Sequence, residues 1–411
     1  MIFLINPSEK KILDNAGDRH PIGLLSIGTT LKSRGHEVKI FDMNHTDREE
    51  LYRKVIKDKP KYIGISVYTS PIFPEAIDLV QDLKKISNAK FIAGGYHASA
   101  MPESLLPYFD SVVVGRGEDK FTTAMIKDGI IDDKESFLPR NSKNKGLDFS
   151  LLDMSKYNMK QDGKRCGTLI TSIGCPYNCS FCFNISRKVD YLPIENVKKN
   201  IKDLEKAGFE ELYFLDDVFT LNKNRMEEIV KSTTVPFRVT TRADLFNKEK
   251  AEILRDNGCS WISLGIESGN DEILENSNKR MTVKQNEDAI ITATSNGIKT
   301  KGFFIIGLPG ETEKTAKQTI DFAVRMKRFG LEKADFYFLT PFPGTPIWNI
   351  PNKFEIKIND RDYTKYLEAG KTAKCYIDTQ ELKASRIEEL VKQADEEFKR
   401  PIDFLCTGWL G

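Results

Sequence analysis

The chain has 411 residues, with 62 Lys and Arg against 60 Asp and Glu and a formal net charge of +2. That length suits two or three domains rather than one, and so even a charge balance argues against a phosphate-seeking surface and a nucleic-acid substrate. Hydrophobic residues at 40% support a sizeable core, and no run of about 18 apolar residues is present to span a membrane. The opening MIFLINP has no basic leader and no small-residue cleavage site, so it reads as a first strand of a cytoplasmic protein.

Strand and helix signals then alternate. After MIFLIN come a helix over Ile22 to Ser33 closed by Gly35, the strand EVKIFD, a helix from Arg48 to Lys57 and the buried run YIGISVY. The helix PEAIDLVQDLKKI and the strands KFIAGG and SVVVGRG follow. This spacing predicts a parallel, doubly wound sheet of Rossmann-like, flavodoxin-like type over residues 1–130. The polar, turn-rich stretch up to Asp162, taken as 131–162, reads as a linker. Alternation resumes over 163–346, with TLITSIG, ELYFLD, FRVTTR, WISLGI, KGFFIIG and ADFYFLT as strands. Six β/α units make a partial (β/α)6 barrel, two short of the closed eight-fold form. Residues 347–411 are expected to form a short helical region on the substrate side.

The seven cysteines are unevenly placed. None precedes Cys166, and Cys175, Cys179 and Cys182 fall within eight positions. Cys259, Cys375 and Cys406 are scattered. A disulfide framework spreads its cysteines in pairs, so the cluster favours metal ligation. The loop SIGCPYNCSFCF follows a strand directly. Thiolates spaced C-x3-C-x2-C can hold three irons of a cubane and leave the fourth open to a chelating molecule. Zinc would ask for a fourth Cys or His nearby, and the loop has none.

These residues resemble the radical S-adenosylmethionine (SAM) superfamily, and the resemblance extends over residues 165–346. It implies that Cys175, Cys179 and Cys182 carry a [4Fe–4S] cluster. Its open iron would bind the amino and carboxylate groups of SAM, and an electron passed to the sulfonium would release a 5′-deoxyadenosyl radical. By the same resemblance, Phe181 packs near the adenine. Asp216 and Asp217 serve the SAM amino group, a carboxylate facing an ammonium. Arg242 meets the SAM carboxylate, Glu267 the ribose or amino acid moiety, and the backbone from Gly302 to Gly307 the purine. The segment TPFPGTP is assigned to the substrate mouth.

In the N-terminal part, Asp18 to Gly23 fits DxHxxG. The following residues are similar to cobalamin-binding domains, including those attached to radical SAM enzymes. His20 is a possible cobalt ligand, with Asp18 as the natural partner of its second nitrogen. Gly23, Ser66, Tyr68, Gly94, Gly95, Tyr96, His97, Gly115 and Gly117 are the further expected cobalamin contacts, Gly94 and Gly95 admitting the nucleotide tail. Together the two parts resemble the cobalamin-dependent (class B) radical SAM methyltransferases over residues 1–346. That resemblance implies methyl transfer from methylcobalamin to an unactivated sp3 carbon, with a peptide, protein residue or mid-sized organic substrate. It also implies an external reductant of flavodoxin or ferredoxin type. The alternatives are methylation of a small natural product, or a ring rearrangement or cyclisation without methyl transfer. A non-catalytic cobalamin sensor would not need the strand-end SAM residues.

Overall fold

The computed structural model describes residues 1–12, 17–132, 146–366 and 373–400. Residues 133–145 of the expected linker, Cys406 and the apolar C-terminal tail lie outside the described residues. The chain divides into two compact units. The first comprises residues 1–170, 191–211 and 363–365, and the second the remainder.

The sheet of the first unit contains β1 (Ile2–Asn6), β2 (Val38–Asp42), β3 (Tyr62–Ser66), β4 (Lys90–Gly94), β5 (Ser111–Val113) and β6 (Gly129–Ile131), in the order β2-β1-β3-β4-β5-β6. The paired strands are parallel. Side chains alternate across a strand, and here both faces are covered. Ile2 and Leu4 join the core shared with α1 (Ile22–Ser33), whereas Phe3 and Ile5 join the core shared with α2 (Arg48–Asp58) and α3 (Phe73–Ile86). Each such fully buried side chain contributes roughly 1.5–3 kcal/mol, and a strand buried on both faces reads as a continuous apolar run. The β1 and β3 connections leave on opposite faces, so a crevice opens at their carboxyl ends.

Two segments differ from expectation. Gly129–Ile131 is a sixth strand, paired parallel to β5. Residues 146–162 belong to the first unit rather than to a linker. Leu151 lies where a Cβ on Gly28 would touch it, and the Tyr157 hydroxyl donates to Asp42 at 3.3 Å. A polar composition concealed these anchors, because a few apolar side chains in a turn-rich stretch carry no periodicity.

Next come α4 (Tyr96–Ala100), α5 (Gly117–Ile126), β7 (Lys160–Gln161), β8 (Lys164–Leu169), the small paired strands β9 (Ser172–Ile173) and β10 (Asp190–Tyr191), and α6 (Ile194–Lys206). The second sheet then adds β11 (Glu211–Phe214), β12 (Phe237–Arg242), β13 (Cys259–Glu267), β14 (Lys299–Ile306) and β15 (Leu331–Phe338). Its order is β15-β14-β13-β12-β11-β8-β7. The six expected barrel strands are present, with β7 as an antiparallel addition. On β14, Thr300, Gly302, Phe304 and Ile306 are buried while Lys301, Phe303 and Ile305 are partly open. One face is therefore buried, and the other is the partly open interior of a partial barrel.

The helices between these strands are α7 (Lys223–Val230), α8 (Lys248–Asp256), α9 (Asp271–Asn276), α10 (Val283–Ser295) and α11 (Glu313–Lys327), followed by α12 (Pro346–Asn349) and α13 (Ala384–Lys399). The expectation that the C-terminal region lies wholly on the substrate side is corrected for α13. Phe398 packs on Phe336, and Arg386 pairs with Glu313 of α11, which places α13 in the outer helical layer.

Gly95 holds the first unit's loops together. Its φ of +115° suits glycine, and a Cβ there would stand 2.7 Å from the Val67 carbonyl oxygen. Gly95→Ala is expected to destabilise the protein by about 2–3 kcal/mol, read as a lower midpoint in urea unfolding.

Candidate active site

The cysteine loop begins where Thr171 leaves β8. The Thr171 N–H and hydroxyl donate to Asp216 at 2.6 and 2.5 Å, and the Ser172 hydroxyl donates to it at 2.7 Å. Burial raises the Asp216 carboxyl to about 6 against these lowering bonds. Asp216 thus clamps the base of the loop. Its neighbour Asp217 accepts only from the Gly174 N–H, at 3.1 Å, and its field reaches Cys175 and Cys182. Of the two carboxylates, Asp217 is the one turned toward the thiols.

Cys175, Cys179 and Cys182 are not disulfide-bonded. Cys179 is buried, whereas Cys182 reaches solvent from a densely surrounded recess whose desolvation pushes its thiol up to about 12. Among the described residues, no three His, Cys, Asp or Glu side chains converge on one point as a single metal ion requires. A cubane places a different demand on its ligands, with one thiolate on each of three irons. Three uncrosslinked thiols on one loop meet that demand.

The loop is held at Ser180, whose N–H donates to the Ser277 carbonyl at 2.9 Å and whose carbonyl accepts from Ile347 N–H at 3.1 Å. The TPFPGTP segment therefore ends in a strut for the cysteine loop. Sequence reading missed the segment Ser277–Arg280. Asn278 donates to the Asn178 carbonyl at 2.5 Å, and Asn278 and Arg280 both adopt left-handed backbone. Such φ values in non-glycine residues are uncommon and persist where the surroundings impose them. Unusual backbone at SNKR leaves no mark in sequence pattern.

Arg242 and Glu267 are more heavily engaged than their expected roles suggested. Arg242 pairs with Asp244 and donates to the Lys279 carbonyl and to Cys179 Sγ. Glu267 has a φ of +65° beside a break in the β13–β14 register, and it forms a buried ion pair with Lys279 at 2.7 Å. Phe181 is partly exposed on the cysteine loop. Gly302 lies within β14, where a Cβ would press on Phe304, and Gly307 begins the turn after β14 with a φ of +91°.

That turn depends on Glu311, also unassigned from sequence. Its carboxyl accepts from the Gly307 and Leu308 N–H groups, and burial raises it to about 8. It is therefore protonated at neutral pH, and Oε1 has no partner. The unfolded chain releases this proton near pH 4.5, the folded protein only near 8, so stability is lost as pH rises between them. Glu311→Gln removes the ionisation from both states. Relative to wild type the variant should gain stability from pH 5 to 8, by on the order of 4 kcal/mol at most, measured by urea unfolding at each pH.

In the first unit, the expected cobalamin residues gather at the carboxyl ends of β1, β3, β4 and β5. His20 lies on the β1–α1 connection, 4% exposed, edge-on to Phe149 and Tyr157. Burial lowers it to about 4 against a hydrogen bond with the Thr168 backbone, so the ring is neutral. The Thr168 backbone, not Asp18, is the hydrogen-bond partner of the ring, and Nε2 has none. The Asp18 carbonyl instead accepts from Met159 N–H at 3.2 Å.

Ser66 ends β3, Tyr68 follows it, and Thr69 Oγ1 is buried without a partner. Gly94 ends β4, and Tyr96 opens α4 with its side chain largely exposed. His97 is buried, with Nδ1 3.0 Å from Ser70 Oγ, Nε2 3.2 Å from Ser104 Oγ, and its ring between Phe73 and Tyr363. Both its nitrogens are engaged within the unit. Gly115, at a φ of +80°, donates to Ser99 Oγ at 2.8 Å. Gly117 packs on Ile27, and no atom lies within 4 Å of a Cβ placed on Gly23. Buried polar atoms without partners beside a glycine-opened edge fit a large polar guest such as cobalamin.

Family comparison agrees with both parts. Residues 169–323 match the radical SAM superfamily and residues 12–124 the B12 binding domain. The uncharacterized methyltransferase PH0819 of Pyrococcus horikoshii is 31% identical over 89% of this chain and 86% of its own. The hopanoid C-3 methylase of Methylococcus capsulatus is 23% identical over 88% and 74%. Among solved structures, the radical SAM methyltransferase TsrM of Kitasatospora setae, with cobalamin and a [4Fe–4S] cluster bound, superposes with a TM-score of 0.70 at 18% identity, covering 88% of this chain and 81% of that one. Among the described residues no helix is long and apolar enough to cross a membrane. With its paired domains and a methyltransferase relative aligned along most of its length, the chain belongs to the cobalamin-dependent radical SAM methyltransferase family, whose cofactors are a [4Fe–4S] cluster, SAM and cobalamin.

Proposed function

We propose that this enzyme transfers a methyl group from methylcobalamin to an unactivated sp3 carbon, and that Cys175, Cys179 and Cys182 hold its cluster. The observation that carries the reading is the cysteine loop, with three uncrosslinked thiols on a backbone fixed at Ser180 and the Asp217 carboxylate directed at them. Bound together, the cofactors supply a hydrogen-abstracting radical and a transferable methyl group, which an sp3 carbon without a lone pair requires.

The chain's own residues bind and orient. Asp217 receives the SAM amino group through charge-assisted hydrogen bonds, Phe181 covers the adenine, and the turn at Gly307 offers backbone to the purine. Gly95 and its neighbours accept the cobalamin tail, and neutral His20 presents an unprotonated Nε2 as a possible donor to cobalt. The acceptor carbon lies in a peptide or protein residue. Electrons come from a reduced flavodoxin or ferredoxin.

The test is anaerobic reconstitution with iron, sulfide and cobalamin, followed by SAM carrying a labelled methyl group. Formation of 5′-deoxyadenosine with a gain of one methyl on a candidate peptide is expected. Methyl gain confined to small molecules would move the acceptor class, and a rearranged product without label would favour ring chemistry. Each single Cys→Ala change at 175, 179 or 182 should abolish 5′-deoxyadenosine formation and reduce bound iron. Asp217→Asn should keep the iron yet weaken SAM binding about tenfold, the loss of one charge-assisted contact of roughly 1.4 kcal/mol, measured by equilibrium dialysis.

A further inference from the structure

Arg242 ends β12 with a side chain that is almost fully buried. A guanidinium has five N–H donors, and four are committed. Nε donates to Asp244 Oδ1 at 2.9 Å, and Nη2 donates to Asp244 Oδ2 at 2.9 Å and to the Lys279 carbonyl at 2.8 Å. One Nη1 N–H points at Cys179 Sγ, 3.7 Å away. The plane is also stacked on Tyr177, its central carbon 3.7 Å from the ring centroid. Tyr177 and Cys179 belong to the cysteine loop, so one side chain grips that loop at two points. The other charges near the loop are the Lys279–Glu267 ion pair and Asp217, whose field reaches Cys175 and Cys182.

Fork, ring and carbonyl together leave the guanidinium one orientation, with one N–H against the Cys179 sulfur and its field reaching Cys175 as well. Hydrogen bonds to the sulfurs, net charge and solvent exposure set the potential of an iron–sulfur cluster. A buried cation that donates to a ligating sulfur stabilises the added electron more than the oxidised state. We propose that Arg242 is a positioning residue that raises the reduction potential of the cluster through Cys179, in addition to fixing the loop. Asp244 orients the guanidinium and offsets part of its charge. The proposal rests on the assignment of Cys179 as a cluster ligand and is independent of the methyl acceptor.

The test uses the full chain reconstituted anaerobically with iron and sulfide, without SAM or substrate, and a redox titration followed by electron paramagnetic resonance. For Arg242→Met carrying a full complement of iron, the ratio of reduced to oxidised cluster at a fixed applied potential should fall about tenfold, equivalent to about 59 mV for one electron. Arg242→Lys keeps the charge and should stay within about threefold of wild type. Asp244→Asn removes the offsetting anion and should shift the ratio the opposite way. An iron-replete Arg242→Met protein with the wild-type potential overturns the proposal, even if its SAM affinity is lowered. If Arg242→Met does not retain the cluster, Asp244→Asn decides. A raised ratio supports the proposal, and an unchanged or lowered ratio overturns it. Loss of methyl transfer with these shifts intact would count against the proposed function alone.

Discussion

Three thiols within eight residues repel one another once they ionise, so the loop that carries them must be held from outside. It is gripped at almost every turn. Asp216 ties its base at Thr171 and Ser172, Ser277 and Ile347 take the two backbone groups of Ser180, and Arg242 reaches both Tyr177 and Cys179. Strained backbone at Asn278 and Arg280 sits where these supports meet. Local strain of this kind persists only when packing over-determines it, and the buried network here provides that packing.

The acidic residues at the strand ends divide into supports and contacts. Asp216 is buried under three donors, and Glu311 is uncharged and spends its acceptor capacity on a turn. Asp217, one residue from Asp216, has a single backbone donor and faces the thiols. Both lie just past the end of β11, Asp217 in the turn that follows. One carboxylate turns into the loop base and the next toward the site.

The first unit uses neutral polar groups for the same purpose. Burial keeps His20 and His97 uncharged, but His97 has two hydroxyl partners while His20 keeps one ring nitrogen unpartnered. Two buried histidines thereby differ in what they can still bind. One stabilises the loops that carry Gly95, and the other retains a lone pair.

The architecture was legible because it rests on local signals. Runs such as IFLIN and YIGIS are almost wholly apolar because helices cover both faces of the first sheet, and KGFFIIG supplies the apolar residues of a barrel strand. The C-x3-C-x2-C spacing is likewise local chemistry and located the cysteine loop without tertiary information. Residues 146–162 and the segment Ser277–Arg280 were opaque, since their roles lie in contacts with partners distant in sequence. Sequence by itself therefore determined the two β/α units, the thiol trio and the carboxyl-edge glycines. Only tertiary structure decided that Asp216 and Glu311 are clamps, that Thr168 rather than Asp18 holds the His20 ring, and that Arg242 lies against a cysteine sulfur. The side chain a polar group meets depends on long-range packing, which residue spacing does not encode.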